Sequence, residues 1–499
     1  MLENCYGELK RNQNVRENLS LLRGAVKDTD GKQRLLALVG DGTFLLGLLG
    51  SEEAKVRKNA ALLIGDLGLV GAKEALFDAY NQEGTLFVRS AYLTALKKMD
   101  ASAYLAAFQA RLKELTAQEP EESERKHVGE EIRALEQLIT GIEGITRHTF
   151  TGLMESCDLL LATNREQRGV TADEVGALSA GVRRSVRLHP LGVLVHTKEV
   201  LPFTKLRTYR ELLFPIHTAG GVAAGAREAA EAVWTSDMPD ILFCSHREDT
   251  SFYFRLEIKT RMELDKKSTF AKQFAAELER LSARRLINST SEYELEIRLM
   301  EKKEGGFAAF FKLFTVPMKR FSYRKHAIAS SIHPAAAALL VRLARPYLKE
   351  RAQILDPFCG VGTMLIERDI CVPAREKYGI DIFGDAISMA RENASLAGEK
   401  VNFINRDYFD FRHDYFFDEI ITNMPTRGKR TKEEMDSFYA AFFEKSRELL
   451  CPGAVIVMYS NEEGFVKKNL RLSADYRLLQ EHCIREKERF YLFVIQYKK

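Results

Sequence analysis

The chain has 499 residues, 45% hydrophobic and 29% charged, too long for one core and ordinary in composition for a globular protein of two to four domains. A net charge of +4 gives no global field for nucleic acid, so any such surface has to be local. Apolar runs are broken by charge or glycine before the length of a membrane span, and no signal peptide is visible, so a cytoplasmic protein with no membrane partner is expected; the seven scattered cysteines, with no C-x-x-C pair, fit reduced thiols and argue against structural zinc.

Residues 1–145 read as helices. Lys55-Val56-Arg57-Lys58-Asn59-Ala60 recurs as Phe87-Val88-Arg89-Ser90-Ala91-Tyr92, and both copies run on into apolar helix. A helix pair at that period reads as an α-solenoid, in which each unit buries a face on its neighbour. It resembles HEAT repeats. The helical text is clear from Arg34, with residues 1–33 as a cap. Gln118 to Lys126 is an acidic connector and Val128 to Ile139 one more helix. The domain is either a platform for a protein or RNA partner or a packing unit with none.

Residues 146–320 read as an α+β module. Leu191–Val195 and Asp240–Cys244 look like buried strands. Phe252–Lys259 and Tyr293–Met300 alternate as half-exposed strands do, Glu301–Gly306 is a turn, and Phe307–Phe314 returns as a hairpin partner. Thr269–Leu286 is an amphipathic helix. Basic residues gather here, among them Arg183, Arg184, Arg187, Lys259, Arg261, Lys266, Lys267 and Lys272. They form either an RNA-facing surface or a solvated face with lysine-protected strand edges.

Residues 321–499 carry the chemistry. Arg324-Lys325 precedes a helix opened by Pro334. His333 reads as a capping or packing residue. Then comes Ile354-Leu-Asp356-Pro357-Phe358-Cys359-Gly360-Val361-Gly362-Thr363: strand, glycine turn, helix. That layout seats a cofactor over the strand's carboxyl end. The loop lacks the Lys-Ser/Thr of a P-loop and the G-x-G-x-x-G of a dinucleotide fold, which excludes a nicotinamide oxidoreductase. Asp356 in the loop mouth would repel a pyrophosphate and suits a ligand with a cationic end. Tyr378–Ile382 is the next strand, ending at Asp381, where a carboxylate can hold a ribose diol. Val401–Ile404 is a third strand, followed by Asp407 and Tyr408. Asp418 to Thr426 is the fourth strand and its exit, Asn423-Met424-Pro425-Thr426. A basic loop, Arg427-Gly428-Lys429-Arg430, comes next, placed to clamp phosphates. The remainder reads as helix, strand and a closing antiparallel pair.

Those motifs resemble the class I S-adenosyl-L-methionine (SAM) methyltransferases, in the form that acts on amino groups. The weakly matching middle module is similar to the ferredoxin-like and THUMP modules of tRNA and rRNA guanine-N2 methyltransferases. The resemblance implies a Rossmann-like, seven-stranded α/β domain with an antiparallel closing strand. It implies cofactor contacts at Asp356, Pro357, Phe358, Cys359, Gly360, Gly362, Thr363, Asp381, Ile382, Asp407, Tyr408 and Asn423. Ile328 to His333 would cross the methionine end. Asn423 and the Met424 carbonyl would accept from an exocyclic base amine, with Pro425 stiffening the loop and Thr426 completing it. Arg324, Lys325, Arg427, Lys429 and Arg430 would contact structured RNA, and no metal is implied. Thr426 stands where the family carries a stacking Tyr or Phe; Tyr323, His326 and Phe438 are the candidates to replace it. The expected activity is N-methylation of RNA, guanine N2 in tRNA or rRNA foremost. Adenine N6, a protein amine, or an inactive methyltransferase-fold scaffold are the alternatives.

Overall fold

In the computed structural model, residues 2–117, 120–144, 147–179, 181–218 and 220–499 are described. Gln118 of the expected connector and the 145/146 domain edge lie outside them. The chain divides into two compact units, Met1–Arg147 and His148–Lys499.

The first unit is helical from Leu2 onward, not from Arg34. Ala54–Leu67 and Leu86–Leu96 carry the recurring pattern. Val56 and Val88 are buried at matching positions, and a Cβ on Gly65 would come within 2.6 Å of the Ala95 Cα, so glycine lets the two helices touch. The repeated arginines serve this packing. Arg57 donates twice to Glu83, both at 2.8 Å, and Arg89 donates to the Glu83 carbonyl. Among the described residues no single helix is long and apolar enough to cross a membrane.

The second unit holds two sheets. The first has eight strands: β1 Cys157–Thr163, β2 Arg184–His189, β3 Gly192–Thr197, β4 Tyr209–Pro215, β5 Phe252–Lys259, β6 Leu286–Asn288, β7 Leu295–Glu301 and β8 Phe307–Leu313. Their order is β2-β3-β1-β4-β8-β7-β5-β6. The β7–β8 hairpin and the alternating β5 are as the sequence predicts, but β7 is buried continuously over Leu295–Leu299 rather than half-exposed. Asp240–Cys244 is not a strand; it lies in the helix Met238–Cys244. Pro239 in the first turn and the Ser236 hydroxyl accepting from the Met238 amide start a helix there, and the short apolar run Ile241–Cys244 fits either state. The amphipathic helix is Leu264–Leu281, shifted five residues toward the N-terminus.

The second sheet has seven strands: β9 Gln353–Asp356, β10 Glu376–Asp381, β11 Asn402–Asn405, β12 Phe417–Asn423, β13 Leu450–Ser460, β14 Tyr476–Arg485 and β15 Phe490–Tyr497. Their order is β11-β10-β9-β12-β13-β15-β14. All neighbours through β13 pair in parallel, and β15 closes the sheet antiparallel to β13. The chain starts in the middle, builds outward through β10 and β11, then crosses to β12. The strand order therefore reverses between β9 and β12, where such sheets open a ligand crevice.

The two sheets are fastened to each other. Arg207 beside β4 grips Glu367 with two bonds of 2.8 Å, and the Tyr323 hydroxyl donates to the same fully buried carboxylate at 2.6 Å. Asn164 and Gln167 donate to the carbonyls of Ile484 and Cys483 at the sheet's closing hairpin.

Candidate active site

Four strand ends converge at the reversal. β9 ends on Asp356, whose carboxylate accepts from the Phe358 amide at 3.1 Å. The loop turns through Gly360 (φ 51°) and Gly362 (φ 82°), left-handed positions that favour glycine. A Cβ on Gly362 would also strike the Phe403 ring at 2.9 Å. Cys359 is buried, its thiol pushed far up by burial, so it packs rather than reacts.

Asp356 is 1% exposed, beneath the loop rather than in its mouth. Burial, with the Asp381 charge adding to it, pushes its carboxyl up to about 7. Asp381, at the tip of β10, ties the loop down: one oxygen accepts from the Gly360 amide at 2.9 Å, the other from the Phe383 amide at 3.0 Å. Each oxygen keeps a further acceptor site for a diol. Beside it Ile382 and Phe383 are 58% and 66% exposed, an apolar shelf of which the sequence reading named only Ile382. Asp407 is exposed and accepts from the Phe409 amide. Tyr408 does not reach the crevice with its ring. That side chain is buried against Phe358 and Phe442, its hydroxyl 3.1 Å from Ser446. Pro357 and Thr363 are buried in the loop and the first helical turn; the Thr363 hydroxyl has no partner.

On the other side of the reversal, β12 pairs Ile420 with Leu355, so Asn423 projects past Asp356. Its amide nitrogen donates to the Ser330 carbonyl at 3.4 Å, which leaves the amide oxygen free to accept. The Met424 amide is held by the Tyr459 carbonyl. Pro425 is half-buried and Thr426 exposed.

A strap covers the glycine loop. Ile328 lies 3.9 Å from where a Gly360 Cβ would be, and Ser331 closes a turn back on Ile328. Asn393, wholly buried, holds this strap down. It donates to the carbonyls of His326 and Val361 and accepts from the His326 amide. Sequence reasoning placed the strap but missed Asn393; a buried Asn on the apolar face of Gly384–Ala397 was the available signal. His333 caps the next helix by accepting from the Ala335 amide.

The candidates for the missing aromatic now separate. Tyr323 is committed to Glu367 in the core, and His326 to Glu392. Phe438 is half-buried, its ring 5.4 Å from Phe358 and 5.6 Å from Phe409, with the Arg430 guanidinium 5.2 Å above it. The cationic candidates divide too. Arg324 donates to the Ile332 carbonyl, and Lys325 pairs with Glu392 at 3.2 Å, so both brace the strap. Arg427, Lys429 and Arg430 are exposed on the loop after Pro425.

The residues fit SAM. A buried carboxyl short of a cation, a second carboxylate with spare acceptor sites, and an exposed apolar shelf match a cationic amino-acid end, a ribose and an adenine in turn. Among the described residues no cluster of His, Cys, Asp or Glu is placed to hold a metal ion.

Residues 322–483, about a third of the chain, match the family described as RMKL-like, methyltransferase domain. The fold is that of a class I methyltransferase. It is shared with SMU.472, described as a putative methyltransferase complexed with SAH (17% identity, TM-score 0.52, covering 70% of this chain and 99% of that one). It is shared also with a possible methylase from Clostridium difficile 630 (18% identity, TM-score 0.51, 69% and 98%). In sequence the chain is similar to the tRNA (guanine(10)-N2)-dimethyltransferase of Methanothermobacter thermautotrophicus, 28% identical over 155 residues. That match takes in 30% of this chain and spans 45% of the relative's length.

Proposed function

We propose that this protein is a SAM-dependent methyltransferase acting on an exocyclic base amine of structured RNA, guanine N2 in tRNA or rRNA. The observation that carries the reading is Asn423. It stands at the tip of β12 across the crevice from the glycine loop, its amide nitrogen engaged by the Ser330 carbonyl and its oxygen left as an acceptor. SAM, when bound, supplies a methyl group activated by its sulfonium.

The chain's own residues do the rest. Asp356, beneath the glycine loop, attracts the cationic end of the cofactor from under it; Asp381 faces the ribose, and Ile382 with Asp407 the adenine. An exocyclic amine is a poor nucleophile because its lone pair is delocalised into the ring. Two acceptors, the Asn423 oxygen and the Met424 carbonyl, take its two N–H groups and so aim the lone pair along one line. Most of the acceleration is positioning. No strong base is required, because the nitrogen becomes acidic as it is alkylated and its proton leaves to water. Phe438, capped by Arg430, supplies the stacking face that Thr426 lacks. The sequence relationship to a tRNA guanine-N2 enzyme supports guanine over adenine. The helical unit is the docking arm and the eight-stranded module delivers the RNA.

Mass spectrometry of nucleosides from parent and deletion cells tests this. N2-methylated guanosine should fall in one RNA class and return with the intact gene but not with Asn423→Ala. Loss of an N6-methylated adenosine instead would move the target base. Unchanged nucleosides, together with no calorimetric binding of SAH, would make the protein a scaffold.

A further inference from the structure

Away from the strand tips, a cleft of about 490 Å³ opens between β4, the end of β8 and the segment 316–321 that leads into the catalytic sheet. That size lies within the roughly 300–1,000 Å³ of ligand clefts. Four cationic side chains line it, Arg210, Lys312, Lys319 and Arg320, against the single carboxylate of Glu211. Glu211 is already matched twice, by Lys312 at 3.1 Å and by Arg298 at 2.7 Å. Among the described residues no carboxylate lies within ion-pair distance of Arg210 or Lys319. Arg320 is fixed in place. It donates to the carbonyls of Leu206 and Arg210 and lies 3.6 Å over the Tyr209 ring. The cleft is therefore electropositive, and a neighbour registers the field. Burial, with Arg210, Arg324 and Arg320 close by, pulls the His333 imidazole down to about 4, so it stays neutral.

The same cleft exposes apolar surface. Phe314 is 43% exposed and Met318 38%. Lys312 sits 4.9 Å from the Phe314 ring centre. An exposed ring in a cleft that also carries the unpaired Arg210 and Lys319 suits a nucleotide, with its base stacked and its phosphate clamped. The cleft is also wired to the crevice. Phe321 in its wall meets the His333 ring at 6.0 Å, and the strap running back from His333 offers the Ser330 carbonyl to Asn423.

We propose that this cleft binds an unpaired nucleotide of the substrate RNA, distinct from the target, with its base on Phe314 and its phosphate between Arg210 and Lys319. The choice of RNA as ligand rests on the function proposed above. The site holds the substrate by backbone charge and stacking, not by reading a base edge, so it tolerates any base.

The test is fluorescence anisotropy of the full chain with a labelled single-stranded oligoribonucleotide. The exposed double variant Arg210→Glu/Lys319→Glu should weaken binding at least about tenfold and flatten its salt dependence. Phe314→Ala should weaken it about fivefold or more with the salt slope unchanged. SAH affinity, read by calorimetry, should be the same in all three proteins, which shows the catalytic sheet intact. Parent-like oligonucleotide binding in both variants would overturn the proposal, as would an acidic peptide displacing the oligonucleotide at equal concentration. If the variants lose oligonucleotide binding while the parent methylates no RNA, the cleft stands and the function fails. If the parent methylates RNA and the variants keep its KM, the cleft alone fails.

Discussion

The helical unit and the catalytic crevice bury carboxylates in opposite ways. Burial alone would push the Glu83 carboxyl up, but the Arg57 guanidinium and the Thr85 amide more than offset it and bring it to about 2. Glu131, fully buried, is met by Arg111 at 3.1 Å, the Tyr80 hydroxyl at 2.8 Å and Arg89 at 3.5 Å. Asp356 is buried as deeply, yet among the described residues no cation pairs with it, and its carboxyl rises to about 7. A charge that holds a fold comes with its counter-charge; a charge that waits for a ligand does not. Under the proposed function, that contrast separates the structural Glu83 and Glu131 from Asp356, which awaits the cofactor's cationic end.

The largest effect should come from the crevice. Asn423→Ala removes the acceptor that the proposed function aims at the target amine and should lower kcat about 10³-fold, roughly 4 kcal/mol of lost positioning. SAH affinity should stay within about threefold, since Asn423 serves the amine more than the cofactor. A parallel collapse of SAH binding would show that Asn423 instead supports the cofactor site.

Next in size is the structural side. Arg57→Ala strands the buried Glu83 carboxylate and should cost the helical unit about 3 kcal/mol. Hydrogen exchange should speed up in Ala54–Leu67 and Leu86–Leu96 and stay unchanged in β9 to β13. If methyl transfer to RNA falls while those helices keep their protection, Arg57 would be a binding residue, and the contrast drawn above would break.

The same contrast explains what the sequence could say. The seven-stranded sheet was legible because Asp356-Pro-Phe-Cys-Gly, Asp381 and Asn423-Met-Pro each end a strand, and local chemistry marks a strand end. The Val-Arg repeat was legible because helical packing is periodic. Asp240–Cys244 was not, because four apolar residues in a row carry no period, and the proline that starts its helix could equally have preceded a strand. The depth of Asp356 was hidden as well. Nothing local distinguishes a carboxylate in a loop mouth from one under the loop. Nor could the sequence choose among Tyr323, His326 and Phe438, because the choice depends on Glu367, Glu392 and Phe358 reaching them from distant segments.

A smaller effect tests the open carboxylate directly. Free of ligand, the folded Asp356 holds a proton that the unfolded chain, with a carboxyl near ~3.9, has already released. The unliganded protein should therefore lose stability as pH rises from about 4 to 7 and level off above. A cationic ligand end favours the ionised form, so binding releases a proton below pH 7. SAH affinity should rise about tenfold between pH 6 and 7.5. Asp356→Asn should flatten that profile and remove the proton release seen by calorimetry in two buffers of different ionisation heat. A slope that survives in the variant would assign the proton to another group.

The smallest effect lies on the basic loop, and it separates charge from architecture there. Arg427 donates to the Arg430 carbonyl, Arg430 lies over Phe438, and Thr431 with Glu434 caps the following helix. Those residues shape the loop, so changing them confounds structure with charge. Lys429 is exposed and takes no part in that framework. Lys429→Ala should raise the KM for RNA only about threefold at low salt, with kcat unchanged, because one exposed charge on a phosphate contributes little and is screened. The difference from the parent should vanish at high salt. If it persists there, or if kcat falls, Lys429 contacts the target nucleotide itself, and the loop belongs to the amine-positioning apparatus with Asn423 rather than to the clamp around it.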